Sequence, residues 1–204
     1  MPKVSEEYKE RKRELLLESA LQCFSEKGYD ATTIDDIAAY SKTSKGFIYN
    51  YFSSKEELYI ALMEERTSRT FTALRERFAT IEGATGKIKE LFRMYREAKV
   101  GLQWQGLIRV HMEFWIHSAR HENLRDIMVS RYKYQYRDFL KEIIEEGKAS
   151  GEFEAHVDAT VIASMFWGII DGLSLHYSVI GDEYEYRRHF IQAEQMVLLY
   201  VGKK

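Results

Sequence analysis

Apolar positions in the first 60 residues recur at helical spacing, but in short bursts. Leu16, Ala20, Cys23 and Phe24 fall on one stripe and predict a helix over Glu6–Lys27. Gly28 is placed for a left-handed stop, with Tyr29 folding back on the helix. Thr33 followed three residues later by Asp36 reads as a capping box, so a second helix starts at Ile34. Ile37 and Ala38 face inward on it, and it is exhausted by about Tyr40. Ser41–Thr43 reads as a turn and Ser44–Tyr51 as a third helix. Ser53 and Ser54, each with Glu three residues on, offer a cap for a fourth helix of about 25 residues from Lys55.

The third helix has two faces. At about 100° per residue, Ser44, Phe47, Ile48 and Tyr51 cluster on one side and Lys45, Gly46, Tyr49 and Asn50 on the other. Helices this short do not hold alone, so the first two must hold the third. The interruptions thus build a small tripod that presents a cation, a bare backbone, a phenol and an amide on one face. This is the helix-turn-helix arrangement, in which the second helix of the pair enters the major groove of DNA.

Beyond residue 80 the periods lengthen. Helices are predicted over Lys87–Val100, Gly106–Ala119, Leu124–Ala149, Val157–Val179 and Glu183–Val201, with breaks at "EGATG", "GLQWQG", "RHEN", "ASGEF" and "IGDE". The fold class is all-α, with about nine helices. Residues 1–55 form a DNA-binding unit and residues 56–204 a second helical unit, joined by the fourth helix without a flexible tether. One proline and twelve glycines in 204 residues agree with long helices.

Hydrophobic residues make up 45% and charged residues 30% of the chain, a globular balance. The single cysteine, Cys23, excludes an internal disulfide and reads as a small buried hydrophobe. The charged N-terminus lacks the apolar stretch of a signal peptide, and the run Val161–Ile170 is too short to span a bilayer before Asp171. A cytoplasmic protein without membrane association is expected. Net charge gives no hint of nucleic acid: residues 1–55 hold nine Lys/Arg and nine Asp/Glu. The argument for DNA rests on where the charges point, with "KERKR", Lys9–Arg13, the one strong basic cluster.

The ordered pattern "ATTIDDIA…SKGFIYNYFSSKEEL", with Phe24, Gly28 and Tyr29 before it, resembles the TetR family of bacterial transcriptional repressors over about residues 10–60. The resemblance implies that Thr33 and Lys55 hold phosphates at the edges of the motif. It implies that Tyr49 touches backbone or a thymine methyl, Tyr51 a phosphate, and Lys45 and Gly46 base edges. With Lys42, Ser44 and Asn50, these are the candidate DNA-binding residues. Tyr51 also fits a core role, and Lys42 a merely solvated one. Two departures from the family pattern stand out. Ser41 occupies a turn position where the family has Gly, at a cost of about 1 kcal/mol if left-handed. Asp35 lies on the exposed side of the second helix, to accept from a cytosine or to repel phosphate.

The family's C-terminal domain binds a small molecule and dimerises through its last two helices. The resemblance therefore implies a homodimer on an inverted-repeat double-stranded operator. Gly168 and Gly172 give a flat strip for a partner helix, with Phe190, Val197 and Val201 on the last helix as further interface candidates. The middle helices are rich in aromatics, which favours an apolar or aromatic effector. Candidate ligand contacts are Phe92, Trp104, Trp115, Met128, Tyr132 and Tyr136, with Arg109, Glu113 and His117 as polar groups. No metal is expected: Glu113, His117 and His121 are four apart, but on one straight stripe they spread too far for one ion. "GATGK" lacks the first Gly and the Ser/Thr of a phosphate loop, and no nucleophile or paired-carboxylate signature supports an enzyme or a cofactor. The expectation is a repressor released by an effector. The rivals are a dimeric regulator without an effector, whose C-terminal unit serves protein interaction, and an all-helical enzyme or carrier.

Overall fold

The computed structural model describes residues 5–203; Met1–Val4, the start of the charged N-terminal run, lie outside them. Nine helices are present among the described residues. They are α1 (Glu6–Lys27), α2 (Ile34–Ser41), α3 (Lys45–Tyr49), α4 (Lys55–Phe78), α5 (Ala84–Arg96) and α6 (Leu102–Arg120), then α7, α8 (Ala159–Ile180) and α9 (Tyr186–Val201). Helix α7 runs as α-helix over Glu122–Arg131, opens into a π-helical stretch over Tyr132–Arg137, and closes again over Asp138–Ser150.

Local chemistry sets the N-terminal helices. Ser5, Thr33, Ser44 and Ser54 cap α1 to α4, each side chain accepting the N–H three residues on. Gly28 ends α1 at φ +80°, a conformation that other residues rarely adopt, and its N–H returns to the Phe24 carbonyl at 2.8 Å. The left-handed residue of the turn between α2 and α3 is Lys42 (φ 54°), not Ser41. Ser41 completes α2 and is buried, its hydroxyl bonded to the Ala38 carbonyl and to Thr43 Oγ1.

Two hydrophobic cores share the molecule. Leu16, Phe24, Ile37, Ile48, Leu58, Tyr59 and Met63 build the first, and Val110 and Phe114 of α6 with Met128 of α7 complete it. Phe71, Leu74 and Phe78 of α4 belong to the second, with Phe92, Phe139, Phe166, Trp167 and Phe190. The core thus changes hands within α4, between Met63 and Phe71, beyond the cut at residue 55 expected from the motif.

Long-range contacts decide the remaining boundaries. Gly83 supplies no side-chain cap to α5; Glu152, from the loop after α7, takes the Ala84 and Thr85 amides at 3.0 and 2.9 Å. That anchor lets α5 begin three residues before the expected Lys87 and fills the amide site of "GATGK" with the chain's own carboxylate. Gly106, expected to open α6, lies inside it, where a Cβ would come within 2.8 Å of the Ser25 Cβ on α1. The apolar run of α8 continues past Asp171, and Ala159–Glu183 is long and apolar enough to cross a membrane by length and composition alone. Its inner stripe of Phe166, Trp167, Ile170 and Tyr177 is buried in the second core.

Candidate nucleic-acid interface and neighbouring cavity

Helix α3 stands on the first core by Ile48, which is fully buried, with Phe47 packing on Tyr51 at 5.3 Å. Lys45, Gly46, Tyr49 and Asn50 are exposed on its outer side, Tyr49 at 46%. Ser44 and Lys42 are exposed at its near end and Thr33 at the start of α2. Thr33 is engaged in its cap, donating to and accepting from Asp36 through both side chains and both amides. The Lys27 ammonium and Thr33 together hold the Asp36 carboxyl far below the usual range. Asp35 forms an ion pair with Lys45 at 3.0 Å, so the reading face carries its own counter-charge.

Lys55 departs from its expected place on a phosphate. Its Nζ donates to the carbonyls of Tyr29 (2.7 Å), Thr32 (2.9 Å) and Asp30 (3.3 Å) and lies 4.3 Å from the Tyr29 ring centre. All three ammonium donors are used. Lys55 therefore ties α4 to the turn after α1. Tyr51 is half-buried against Phe47 and Phe52, between the two roles expected of it.

Helix α6 grips this unit from behind. Glu113 Oε2 accepts the Tyr29 N–H at 3.0 Å, and the His117 ring lies 4.7 Å from the Tyr29 ring. Tyr59 donates its hydroxyl to the Val110 carbonyl at 2.7 Å and meets Phe114 edge-on. Burial pushes the Tyr29 hydroxyl up to about 12 and depresses His117.

The opposite face of α6 borders a cavity of about 350 Å³, closed by α4, α5, α7 and α8. Of the nine expected ligand contacts, Trp104 and Tyr136 line it. The other seven do not, each for a visible reason. Phe92 and Met128 are spent in the two cores, and Arg109 is exposed on the outside of α6. Glu113 and His117 hold Tyr29. Trp115 packs edge-on against Tyr132 and donates to His111 Nε2 at 3.2 Å. The lining that sequence reasoning missed includes Arg66, Thr67, Phe71, His111, Arg131, Trp167 and Asp171. Trp104 itself donates to the Tyr186 hydroxyl at 3.3 Å. Among the described residues no group of three His, Cys, Asp or Glu gathers as metal ligands, and the His117 and His121 rings lie 4.2 Å apart, tilted by 34°.

On the far side, α8 carries a stripe of Val161, Met165, Gly168, Gly172, Leu175 and Val179, spaced alternately four and three residues apart and exposed at every position but the half-buried Gly172. Nothing lies within 4 Å of a Cβ built on either glycine. The expected companions on α9 turn the other way: Phe190, Val197 and Val201 are at most 8% exposed, inside the chain's own core. The outward apolar residues of α9 are Ile191, Met196, Leu199 and Tyr200.

Comparison with known proteins agrees with both halves. Residues 16–62 match the family described as bacterial regulatory proteins, tetR family, and residues 96–186 match the tetracyclin repressor-like C-terminal domain. The chain is 27% identical over 175 residues to the uncharacterized HTH-type transcriptional regulator YfiR of Bacillus subtilis (strain 168), covering 84% of this chain and 82% of the relative. It is 30% identical over 161 residues to the HTH-type transcriptional repressor NicS of Pseudomonas putida (strain KT2440), covering 74% and 70%. A solved regulator from Saccharomonospora viridis in complex with choline shares the fold, with a TM-score of 0.83 at 20% identity over 96% of this chain and all of that one. With the tripod, its reading face and the helical second unit on one chain, the protein belongs to the TetR family and is a DNA-binding, helix-turn-helix transcriptional regulator, a family without enzymatic activity.

Proposed function

We propose that the protein is a homodimeric repressor that occupies an inverted-repeat operator and releases it when a small, largely apolar or aromatic effector enters the cavity behind α6. The observation that carries this reading is the double duty of α6. Leu107, Ile108, His111 and Met112 border the cavity, while Glu113, Phe114 and His117 hold the DNA-binding unit. An effector that binds better to one setting of α6 shifts the population toward that setting. Operator and effector then weaken each other by the same factor, typically 5–150-fold.

On the DNA, Lys45, Gly46, Tyr49 and Asn50 face base edges, with Thr33, Lys42, Ser44 and Tyr51 along the rim. Phosphate contacts position the motif and base contacts specify the site. The exposed stripe of α8 with Met196, Leu199 and Tyr200 of α9 supports a helical dimer seam, since apolar exposure of this extent marks an interaction surface. A two-fold dimer presents two recognition helices, so half-sites should be centred about one helical turn apart or somewhat more.

Footprinting on selected DNA, followed by a ligand screen read by thermal shift and by tryptophan fluorescence, tests the reading. The expected result is a symmetric footprint, and an effector that shifts fluorescence and releases DNA over one concentration range. A lone asymmetric half-site at saturating protein contradicts the dimer. Intact operator binding with no stabilising ligand in a broad screen replaces the inducible repressor with a ligand-free regulator.

A further inference from the structure

The cavity is lined by two cations that no carboxylate of the chain touches, the Glu18 charge reaching Arg66 only from beyond contact. Arg131 is 5% exposed. Its Nε donates to Thr67 Oγ1 at 2.7 Å, one Nη to the Tyr136 hydroxyl at 3.0 Å, and the other Nη to Met128 Sδ at 3.5 Å. The guanidinium also lies over the Phe114 and Tyr136 rings, at 5.6 and 5.3 Å. Every one of these partners is neutral. Arg66, one position before Thr67 on α4, lines the same cavity and makes no side-chain hydrogen bond or ion pair among the described residues. The other half-buried arginines behave differently. Arg93 pairs with Glu90, Arg96 with Glu194, and Arg137 with Asp138. Holding a cation such as Arg131 out of water against neutral groups alone is costly, and an anion brought into contact offsets that cost.

Backbone geometry points the same way. Arg131 is the last residue before the π-helical stretch, and Tyr136 lies within it. Five residues apart on an α-helix they would point about 140° away from each other. The wider π turn brings them together, and such stretches concentrate at functional sites. Asp171 is the carboxylate on the facing wall, 3.6 Å from His111, but its side chain is one-third exposed and keeps its water. The remaining lining, including Phe71, Met94, Ile108 and Trp167, is apolar or aromatic.

We propose that the effector is an organic carboxylate, its anionic head between Arg66 and Arg131 and its apolar or aromatic body against the rest of the cavity. This rests on the effector reading above. Arginine suits the role because its planar fork can take both carboxylate oxygens at once.

Two matched probe sets test the idea on the full chain, by calorimetry and thermal shift. One is 4-phenylbutyrate, 4-phenylbutanamide and 4-phenylbutyltrimethylammonium; the other is octanoate, octanamide and octyltrimethylammonium. The expected result is that, in at least one set, the carboxylate binds at least about tenfold more tightly than its amide. Arg66→Gln should abolish most of that preference, by weakening the carboxylate far more than the amide, without lowering the unfolding temperature, since Arg66 makes no bond to lose and its removal relieves a desolvated charge. Arg131→Lys, which keeps the charge, should retain part of the preference even if it lowers stability. Equal binding of carboxylate and amide overturns the anionic head group but leaves the effector reading standing. Tighter binding of the trimethylammonium overturns it in favour of Asp171 and the aromatic walls. A carboxylate preference that survives Arg66→Gln undiminished removes Arg66 from the site and overturns the paired cradle. If no member of either set binds, the carboxylate proposal is overturned, while the effector reading stands or falls separately by the broad screen.

Discussion

Glu113 is the side chain through which α6 holds the turn after α1, and its removal should be felt in both stability and local opening. Its Oε2 accepts the Tyr29 N–H at 3.0 Å, and Tyr29 is only 8% exposed. Glu113→Ala leaves that amide without its acceptor. A hydrogen bond to a charged group contributes about 1.5–3 kcal/mol, and the half-buried setting of Glu113 favours the lower part of that range, about 1.5–2. For a chain of this length each kcal/mol lowers the unfolding temperature by roughly 2–4 °C, so a drop of about 3–8 °C is expected. Glu113→Gln keeps an oxygen able to accept the same bond without the charge and should lose about half as much. Thermal unfolding measures the first effect. Hydrogen exchange at the Tyr29 amide measures the second, and should speed up by about tenfold or more in Glu113→Ala. An unchanged unfolding temperature together with unchanged Tyr29 exchange would refute the reasoning, because the amide would then have another acceptor and α6 would not be pinned there.

Three further outcomes follow from the geometry. Asp35→Asn frees Lys45 and removes a negative charge from the reading face, so DNA affinity should rise and the salt dependence should steepen by about one released ion; fluorescence anisotropy across a salt series checks this, and weaker operator binding at unchanged non-specific affinity would instead make Asp35 a base reader. Lys55→Met should cost about 1–3 kcal/mol in denaturant unfolding while leaving the salt slope of DNA binding unaltered, since the ammonium is committed to three carbonyls; a slope lower by about one would return it to a phosphate. Glu152, held at about 2 chiefly by the Thr85 amide, contributes stability that is present above its usual value of 4.5 and lost as pH falls from there toward 2. Solvent screening keeps that contribution to about 1–2 kcal/mol, and Glu152→Gln should flatten the acid-unfolding curve between pH 5 and 2; an unchanged curve would mean the carboxylate does not cap α5.

Where a boundary is set by neighbours in sequence, the sequence announces it. The span of α1 follows from its apolar stripe and Gly28, and the start of α2 from the box between Thr33 and Asp36. The outer face of α3 follows from a 100° step and nothing more. Boundaries set from a distance carry no such mark. Glu152 reaches α5 from 68 residues away, and the segment it caps looks uncapped when read locally. Gly106 reads as a helix breaker, yet its missing side chain serves the close approach of α6 to Ser25. Lys55 looks like a surface charge beside a helix N-terminus, and its partners lie 23 to 26 residues back. On α9 the spacing of Phe190, Val197 and Val201 defines a stripe but does not say which side of it faces the chain's own core.

The cavity was the least legible part, and α6 shows why. On a helical wheel Trp104, Leu107, Ile108, His111 and Met112 fall on one side, and Gly106, Val110, Glu113, Phe114 and His117 on the other. Both stripes mix apolar, aromatic and polar residues, so composition cannot say which one meets a ligand. The polar groups expected to greet an effector, Glu113 and His117, turned out to hold the DNA-binding unit instead. This division matters for the proposed mechanism. Nineteen residues of helix form a rod about 28 Å long, stiff enough that its two faces cannot move independently. An effector needs no contact with Tyr29 to disturb it; displacing the His111 and Met112 side of α6 displaces Glu113 and His117 with it. Substitutions on the cavity face should therefore change effector affinity and leave basal operator binding intact, whereas those on the Glu113 face should change basal operator binding and the coupling while effector contacts remain.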